Sequence, residues 1–467
     1  MFKNLLIILV LKFSFSIHVN AQTVYNRTSF KYVIDESQDL RKNKASKNWQ
    51  FIFYQHFYLN SNLPNLENNN GLYFPKGFGM ITATLLEYKS KYLTFSAEPH
   101  ATRRKIYPIS PPKKESIFST LNDVQLNEIK INNIKNLGIK LNYNNITLGF
   151  GNWNQWWGPG IHNSLAMTNN SLGFYHSFLK MNDYVSITTD IKMKAKYVVS
   201  NPINNILSIN YYLSFWESIL RYKDIEAGLT RHVLSGGNEK INWNYLNAAT
   251  VLLTNKNINY WDEIIDLYIK YNPKNSGLII FIELGMPNRQ KDISQKNIYS
   301  DNSLGSNIGI RKYGVFDNEK IMLGIEYTRL IQGIYYNLIP TPNWYDNVKF
   351  DYSSYGGRRW AAHSGSDSDD LLMIIGLLGE NKKIIAGFNY ERHGVNFNFP
   401  PEVKLEFRLS TSFNINNFSL TFEYESEYYE HYGFVDNAEN VWNNTFEAGS
   451  IQRTKTLLFT IEKSLKN

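Results

Sequence analysis

Apolar and polar residues alternate with period two along most of the chain. From Leu207 through Ile209, Tyr211 and Leu213 to Phe215, apolar positions are separated by Ser208, Asn210, Tyr212 and Ser214. From Leu405 through Phe407 and Leu409 to Phe413 the spacers are Glu406, Arg408, Ser410 and Ser412. The same parity runs from Ile187 to Val199 against Lys192, Lys194 and Lys196, from Phe418 to Tyr424 against Ser419, Thr421 and Glu423, and on through Leu457, Phe459 and Ile461. Period two places one set of side chains on each face of a strand, so each run predicts a strand with one oily and one wet face. Several runs are longer than the five or six residues usual in a β-sandwich, and they are bounded by Tyr, Phe or Trp, as at Tyr211, Tyr212, Trp216, Tyr424, Tyr428 and Tyr429. A strand that crosses a bilayer needs about 9 to 11 residues and carries aromatic residues at both interfaces.

By this template about eighteen strands lie between Gly79 and Glu462, predicting an all-β fold: a transmembrane antiparallel β-barrel over residues 76–467. Tyr88-Lys89-Ser90-Lys91 and Asn144-Asn145 read as short periplasmic turns, and Pro287 to Asn307 and Pro340 to Asp370 as external loops. Residues 22–75 do not alternate cleanly and contain the Asn-rich piece Asn60 to Asn70. They read as an N-terminal periplasmic or lumen-plugging segment, partly helical near Glu36 to Phe57. No apolar stretch after the first residues is long enough for a membrane helix.

The N-terminus gives the compartment. Lys3, the apolar run Leu5 to Ile17 and the small-x-small triplet Val19-Asn20-Ala21 form a signal peptide over residues 1–21, with the mature chain starting at Gln22. Export with strands rather than helices predicts the outer membrane of a Gram-negative bacterium. The 467 residues contain no Cys, which excludes disulfides, thiolate metal sites and a Cys nucleophile. Loss of Lys3 and Lys12 with the signal peptide leaves 47 Lys and Arg facing 41 Asp and Glu. That mild excess suits an anionic surface such as lipopolysaccharide or acidic glycan and lacks the concentrated basic stripe of a nucleic-acid binder.

Ile146 to Trp157 begins as a strand, with Ile146, Leu148 and Phe150 on one face and Thr147, Gly149 and Gly151 on the lumen face, where glycine permits close approach of another chain segment. It then delivers Trp153, Gln155, Trp156, Trp157, Gly158, Pro159, Gly160 and His162 to the external end. The run Gly149-Phe150-Gly151-Asn152-Trp153-Asn154-Gln155-Trp156-Trp157-Gly158-Pro159-Gly160, with Asn163-Ser164-Leu165 and Asn169-Asn170 behind it, closely resembles the signature of the capsule assembly Wzi family. Looser matches are Asp266 to Tyr271 leading into Ser276 to Gly285, and Gly356-Gly357-Arg358-Arg359-Trp360 followed by His363 to Asp369. The resemblance covers most of the chain from about Gly77 and implies an outer-membrane barrel that binds exported capsular polysaccharide without catalysis. Two departures are a short, polar N-terminal segment and the end Leu465-Lys466-Asn467, which lacks a terminal aromatic residue.

Read as chemistry, Trp153, Trp156 and Trp157 offer faces for sugar rings, and Gln155 offers an amide, or they brace a folded loop. Arg358, Arg359 and His363 suit an acidic sugar substituent, or they pair with Asp367, Asp369 and Asp370. Those three Asp lack the Gly and terminal Glu of a calcium loop, and no metal or cofactor is expected. Metalloprotease, phosphate-loop, nucleophile-elbow and dinucleotide patterns are absent from the sequence, so no enzyme is expected. The expected function is a lectin-like, monomeric barrel binding capsular or surface polysaccharide, in contact with outer-membrane lipid and with export machinery as a further partner. Alternation alone equally fits a diffusion porin, and an outer-membrane hydrolase stays open as a third reading.

Overall fold

The computed structural model describes residues 30, 48–64, 67–104, 134–205, 208–237, 243–251, 261–287, 304–316, 318–331, 344–345, 350, 353–356, 358–395, 400–432 and 451–466. The signal peptide and most of residues 22–47 therefore lie outside the described residues.

Eighteen antiparallel strands close into one barrel. In chain order they are β1 Asn48–Asn60, β2 Gly77–Lys89, β3 Leu93–Arg104, β4 Ile134–Tyr143, β5 Ile146–Gly151 and β6 His176–Met181. There follow β7 Ile191–Ser200, β8 Asn210–Tyr222, β9 Ile225–Gly236, β10 Trp261–Tyr271, β11 Leu278–Pro287 and β12 Gly305–Val315. The ring continues through β13 Asn318–Arg329, β14 Ser368–Leu378, β15 Lys382–His393, β16 Glu402–Ile415, β17 Phe418–Glu430 and β18 Gln452–Lys466. Each pairs with the next, and β1 closes on β18 in a register that sets Tyr54 opposite Glu462. Closure leaves no sheet edge, which a bilayer would leave without hydrogen-bond partners.

The connections alternate in length. Asn144-Asn145 and Lys223-Asp224 are short turns at the end where β1 begins and β18 stops, whereas the links after β3, β5 and β13 are long and at the opposite end. In outer-membrane barrels the short turns are periplasmic and the long loops external. Asn144, Lys223 and Asn416 take positive φ in these turns, the conformation tight hairpins demand.

The outer face is apolar: Leu148, Phe150, Leu267, Ile269, Ile308, Ile310, Ile375 and Phe422 are all exposed there. Exposed aromatics mark both ends of the band, with Trp49, Tyr92, Tyr143, Tyr222 and Phe316 at the short-turn end and Phe78, Tyr175 and Tyr327 at the other. This is the girdled lipid band of an outer-membrane barrel.

The inner face departs from simple alternation where the lumen is filled. Tyr211, Leu213 and Phe215 are fully buried and point inward, facing Trp157, Phe350 and Trp360. Over Tyr211 to Phe215 the oily parity is thus directed at the lumen rather than at lipid, while Leu207 lies outside the described residues.

Two sequence expectations are corrected. The barrel begins at Asn48, not at residue 76, and Asn48 to Phe57 is strand rather than helix. Its inward residues mix Ile52, Tyr54 and Tyr58 with His56 and Asn60, Tyr58 packing on Phe74 and Leu72 of the following inner segment, and this blurs the alternation. Of Pro340 to Asp370, read as an external loop, the described part turns inward: Tyr345, Trp360, Ala361 and His363 are buried. Phe30, from the N-terminal segment, is also inside the lumen, packed with Ile161, Ile374 and Ile385.

Candidate functional site

The link from β5 to β6, residues 152–175, drops into the barrel, and polar groups on the inner wall hold it there. Glu326 on β13 accepts backbone N–H bonds from Ile161 at 2.8 Å, His162 at 3.1 Å and Asn163 at 2.8 Å. Glu283 on β11 accepts from the N–H of Leu165 at 3.0 Å and from the Ser164 hydroxyl at 3.1 Å. Hydrogen bonds to a carboxylate are among the stronger ones, and they satisfy backbone donors that have left water.

The turn that presents these N–H groups depends on its glycines. Gly158 takes φ +118°, and a Cβ there would sit 2.7 Å from Ser164 Oγ. At Gly160 a Cβ would sit 2.1 Å from the Asn163 carbonyl oxygen. Between them Pro159 offers its carbonyl to Arg311 at 3.3 Å. Gly149 and Gly151 face the lumen, where their missing side chains make room for Phe178 and Trp153 respectively.

A second inner segment, residues 353–367, docks on the first. Thr168 donates its hydroxyl to Ala361 O at 2.7 Å, Asn170 donates to Arg359 O at 2.9 Å, and the Tyr345 hydroxyl donates to Leu165 O at 2.6 Å. Burial pushes the Tyr345 phenol up above its ordinary pKa, so it remains a donor. Asparagines stitch in the link after β1: Asn68 donates to His162 O at 2.9 Å, and Asn154 donates to Asn70 at 2.7 Å.

Each residue singled out in the sequence belongs to this inner assembly. Trp157 is 1% exposed and stacks on Phe215 with ring centroids 5.2 Å apart. Trp153 is half-buried, donates its indole N–H to Ser96 Oγ at 2.9 Å and lies 4.4 Å beneath the Lys140 ammonium. Trp156 is half-buried, and Gln155 is buried against His176 at 3.0 Å. Arg358 and Arg359 are buried, with the Arg359 guanidinium 5.4 Å from the Tyr345 ring. Asp369 pairs with Arg392 and not with either of them.

His162 and His363 come together although 201 positions separate their numbers, their rings 4.5 Å apart. Both Nε2 atoms approach Asp370 Oδ2, at 3.2 and 3.3 Å. Burial opposes charge on His162, but the Asp370 carboxylate outweighs it and raises the imidazole's pKa above the usual value.

Sequence reading gives no role to the wall residues Glu283, Glu326 and Glu391, and it takes Asp370 as a partner of loop cations rather than as a wall group. The signal is clearest at Glu283, the lone carboxylate at an inward position of the apolar β11 sequence LIIFIELGMP. Such a residue faces either water or a partner.

No protein-family model matches the chain, and no curated protein matches it in sequence. Solved structures do match in fold. The Escherichia coli outer-membrane protein Wzi, involved in group 1 capsule assembly and described as a carbohydrate-binding β-barrel, aligns at a TM-score of 0.61 and 11% identity, covering 94% of this chain and 89% of its own. Acinetobacter baumannii OccAB4 aligns at 0.46 and 10%, covering 90% and 99%, and Pseudomonas aeruginosa OccK7 (OpdD) at 0.47 and 9%, covering 90% and 99%. At 11% identity the likeness to Wzi is one of fold: a closed antiparallel β-barrel of the outer-membrane type.

Proposed function

We propose that the chain is a carbohydrate-binding barrel that holds capsular or surface polysaccharide at the outer membrane, and that it is neither a diffusion porin nor a hydrolase. One observation carries this reading: residues 152–175 lie inside the barrel hydrogen-bonded to its wall, and the described residues of 353–367 are hydrogen-bonded to them, where a porin keeps a water-filled passage. The sequence QWWGPG, similar to the capsule assembly signature, lies at the centre of that filling. Trp157, His162, Arg358, Arg359 and His363 then act by holding the inner segments in shape, with half-buried Trp153 and Trp156 nearest to any sugar that enters. A polymer gains affinity from many weak contacts repeated along its length. Lipopolysaccharide and export machinery remain partners of this proposal.

The test pairs two measurements on the detergent-folded protein: co-sedimentation with purified surface polysaccharide, and current in planar bilayers. Retention of polysaccharide with negligible current is expected, and steady channel current without retention would establish the porin. Trp156→Ala combined with Trp157→Ala should lower retention several-fold while heat-modifiable migration of the barrel stays unchanged. Full retention by the folded double variant counts against the site.

A further inference from the structure

Deep in the lumen four side chains from four chain segments converge on one point. His162 comes from the β5–β6 link, His363 from the segment before β14, Asp370 from β14 and Glu391 from β15, and one ligand-type atom of each lies within 4.8 Å of the others. All four are fully buried. Three of the separations are His162 Nε2 to Asp370 Oδ2 at 3.2 Å, His363 Nε2 to Asp370 Oδ2 at 3.3 Å and His363 Nε2 to Glu391 Oε1 at 3.4 Å. Ligand atoms held about 2.0 to 2.1 Å from a tetrahedral zinc stand about 3.3 to 3.4 Å from one another.

The atoms turned away from this point are held as an outer shell holds metal ligands. Asp370 Oδ1 accepts from Asn389, Glu391 Oε2 meets His393 Nε2 at 3.1 Å, and His363 Nδ1 lies 3.1 Å from the Asn68 amide. Such partners orient ligands and set the imidazole tautomer. Of the outward-facing atoms of the four side chains, His162 Nδ1 has no hydrogen-bond partner among the described residues.

Charge points the same way. Lys404 and Arg408 are the fixed cations of the surrounding ion-pair network, and they face Glu67, Glu391, Glu406, Glu425 and Glu427, with Asp370 joined to them through His363. Among the described residues of this network carboxylates outnumber Lys and Arg, and the imidazoles of His162, His363 and His393 lie against them. Within the cluster Lys404 reaches Glu391 Oε1 at 3.3 Å, Asn163 Nδ2 donates to Asp370 Oδ2 at 2.6 Å and Asn389 Nδ2 lies 3.1 Å from His162 Nε2, contacts that a bound cation would displace or share.

We propose that His162, His363, Asp370 and Glu391 bind one divalent cation of the zinc type, which staples the two inner segments to the barrel wall. Two imidazoles and two carboxylates form a borderline donor set that suits zinc better than calcium or magnesium. The cation would hold the same inner segments on which the carbohydrate-binding reading rests, but its test reads metal content and a cobalt spectrum rather than polysaccharide retention, so the two readings fail separately.

The experiment uses the full mature chain, folded in detergent without a polyhistidine tag and stripped with chelator. After equilibration with Zn²⁺ and desalting, one zinc per chain is expected by elemental analysis. His162→Ala with His363→Ala should retain none, whereas Glu425→Gln, in the neighbouring carboxylate group, should retain one. Co²⁺ loaded instead of zinc should give the intense visible bands of four-coordinate cobalt. Zinc that desalts away from the wild-type protein, zinc retained equally by the histidine double variant, or the weak bands of six-coordinate cobalt would each overturn the site. Should the double variant fail to give the heat-modifiable band, the wild-type stoichiometry and cobalt spectrum decide the question alone.

Discussion

Individual residues here act by what they leave room for as much as by what they touch. Gly160 lets the chain turn so that the N–H groups of Ile161, His162 and Asn163 all reach Glu326. A methyl group at Gly160 would collide with the Asn163 carbonyl at 2.1 Å and with Asn307 Nδ2 at 2.5 Å, both held in place by other contacts. Overpacking of this kind costs about 1 to 3 kcal/mol. Gly160→Ala should therefore loosen residues 152–175 without unfolding the barrel, because none of the strand ladders passes through the turn. Limited proteolysis of folded protein reads this: cleavage within 152–175 should be accelerated several-fold while the heat-modifiable band persists. Cleavage at the wild-type rate would mean that the turn has more slack than its contacts indicate.

At the scale of elements, what was legible depended on what each face meets. In β16 and β17 the outward residues Phe407, Leu409, Phe418 and Phe422 are exposed on the lipid side, while inward Glu406 pairs with Arg408, Thr421 with Ser412 and Glu423 with Ser410, so period two shows in the sequence. In β1 and β8 inward residues meet packed protein, so Tyr58, Leu213 and Phe215 are apolar on the side where water is expected, and Tyr54 turns its hydroxyl to Glu98. The strand count survives this, since a strand oily on both faces is still a strand. The face assignment does not, and for that reason the sequence places β1 with a plug segment. Inner loops were illegible for a related reason: polar runs such as Asn68-Asn69-Asn70 look solvated until Asn68 and Asn70 are seen bonded to His162 and Asn154. The outward assignment is testable at Ile310, which is exposed in the middle of β12. Arg near the bilayer midplane on a lipid-facing position costs about 2 to 4 kcal/mol. Ile310→Arg should lose that much stability in denaturant-monitored refolding into lipid vesicles, while Ile310→Leu stays close to wild type. Equal stability of the two variants would remove this face from the lipid.

For the molecule as a whole the barrel and its filling are separable structures with different sources of stability. The barrel rests on eighteen closed ladders and on lipid outside. The filling rests on a few wall carboxylates: Glu326 and Glu283 between them accept the backbone N–H groups of residues 161, 162, 163 and 165. Removing both acceptors would leave four buried donors unpaired, at a cost of about 1 to 3 kcal/mol each. That sum is comparable to the whole stability of many domains, and the loop can escape it by swinging out into water, where its N–H groups find partners again. The barrel wall would be spared, because Glu283→Ala and Glu326→Ala remove inward side chains and leave the β11–β12 and β12–β13 ladders intact. Planar-bilayer recording distinguishes the outcomes: negligible current for wild type and a stable, ohmic conductance for the double variant are expected. If the wild-type protein already conducts as well as the double variant, residues 152–175 do not seal the lumen and the case against a porin is lost.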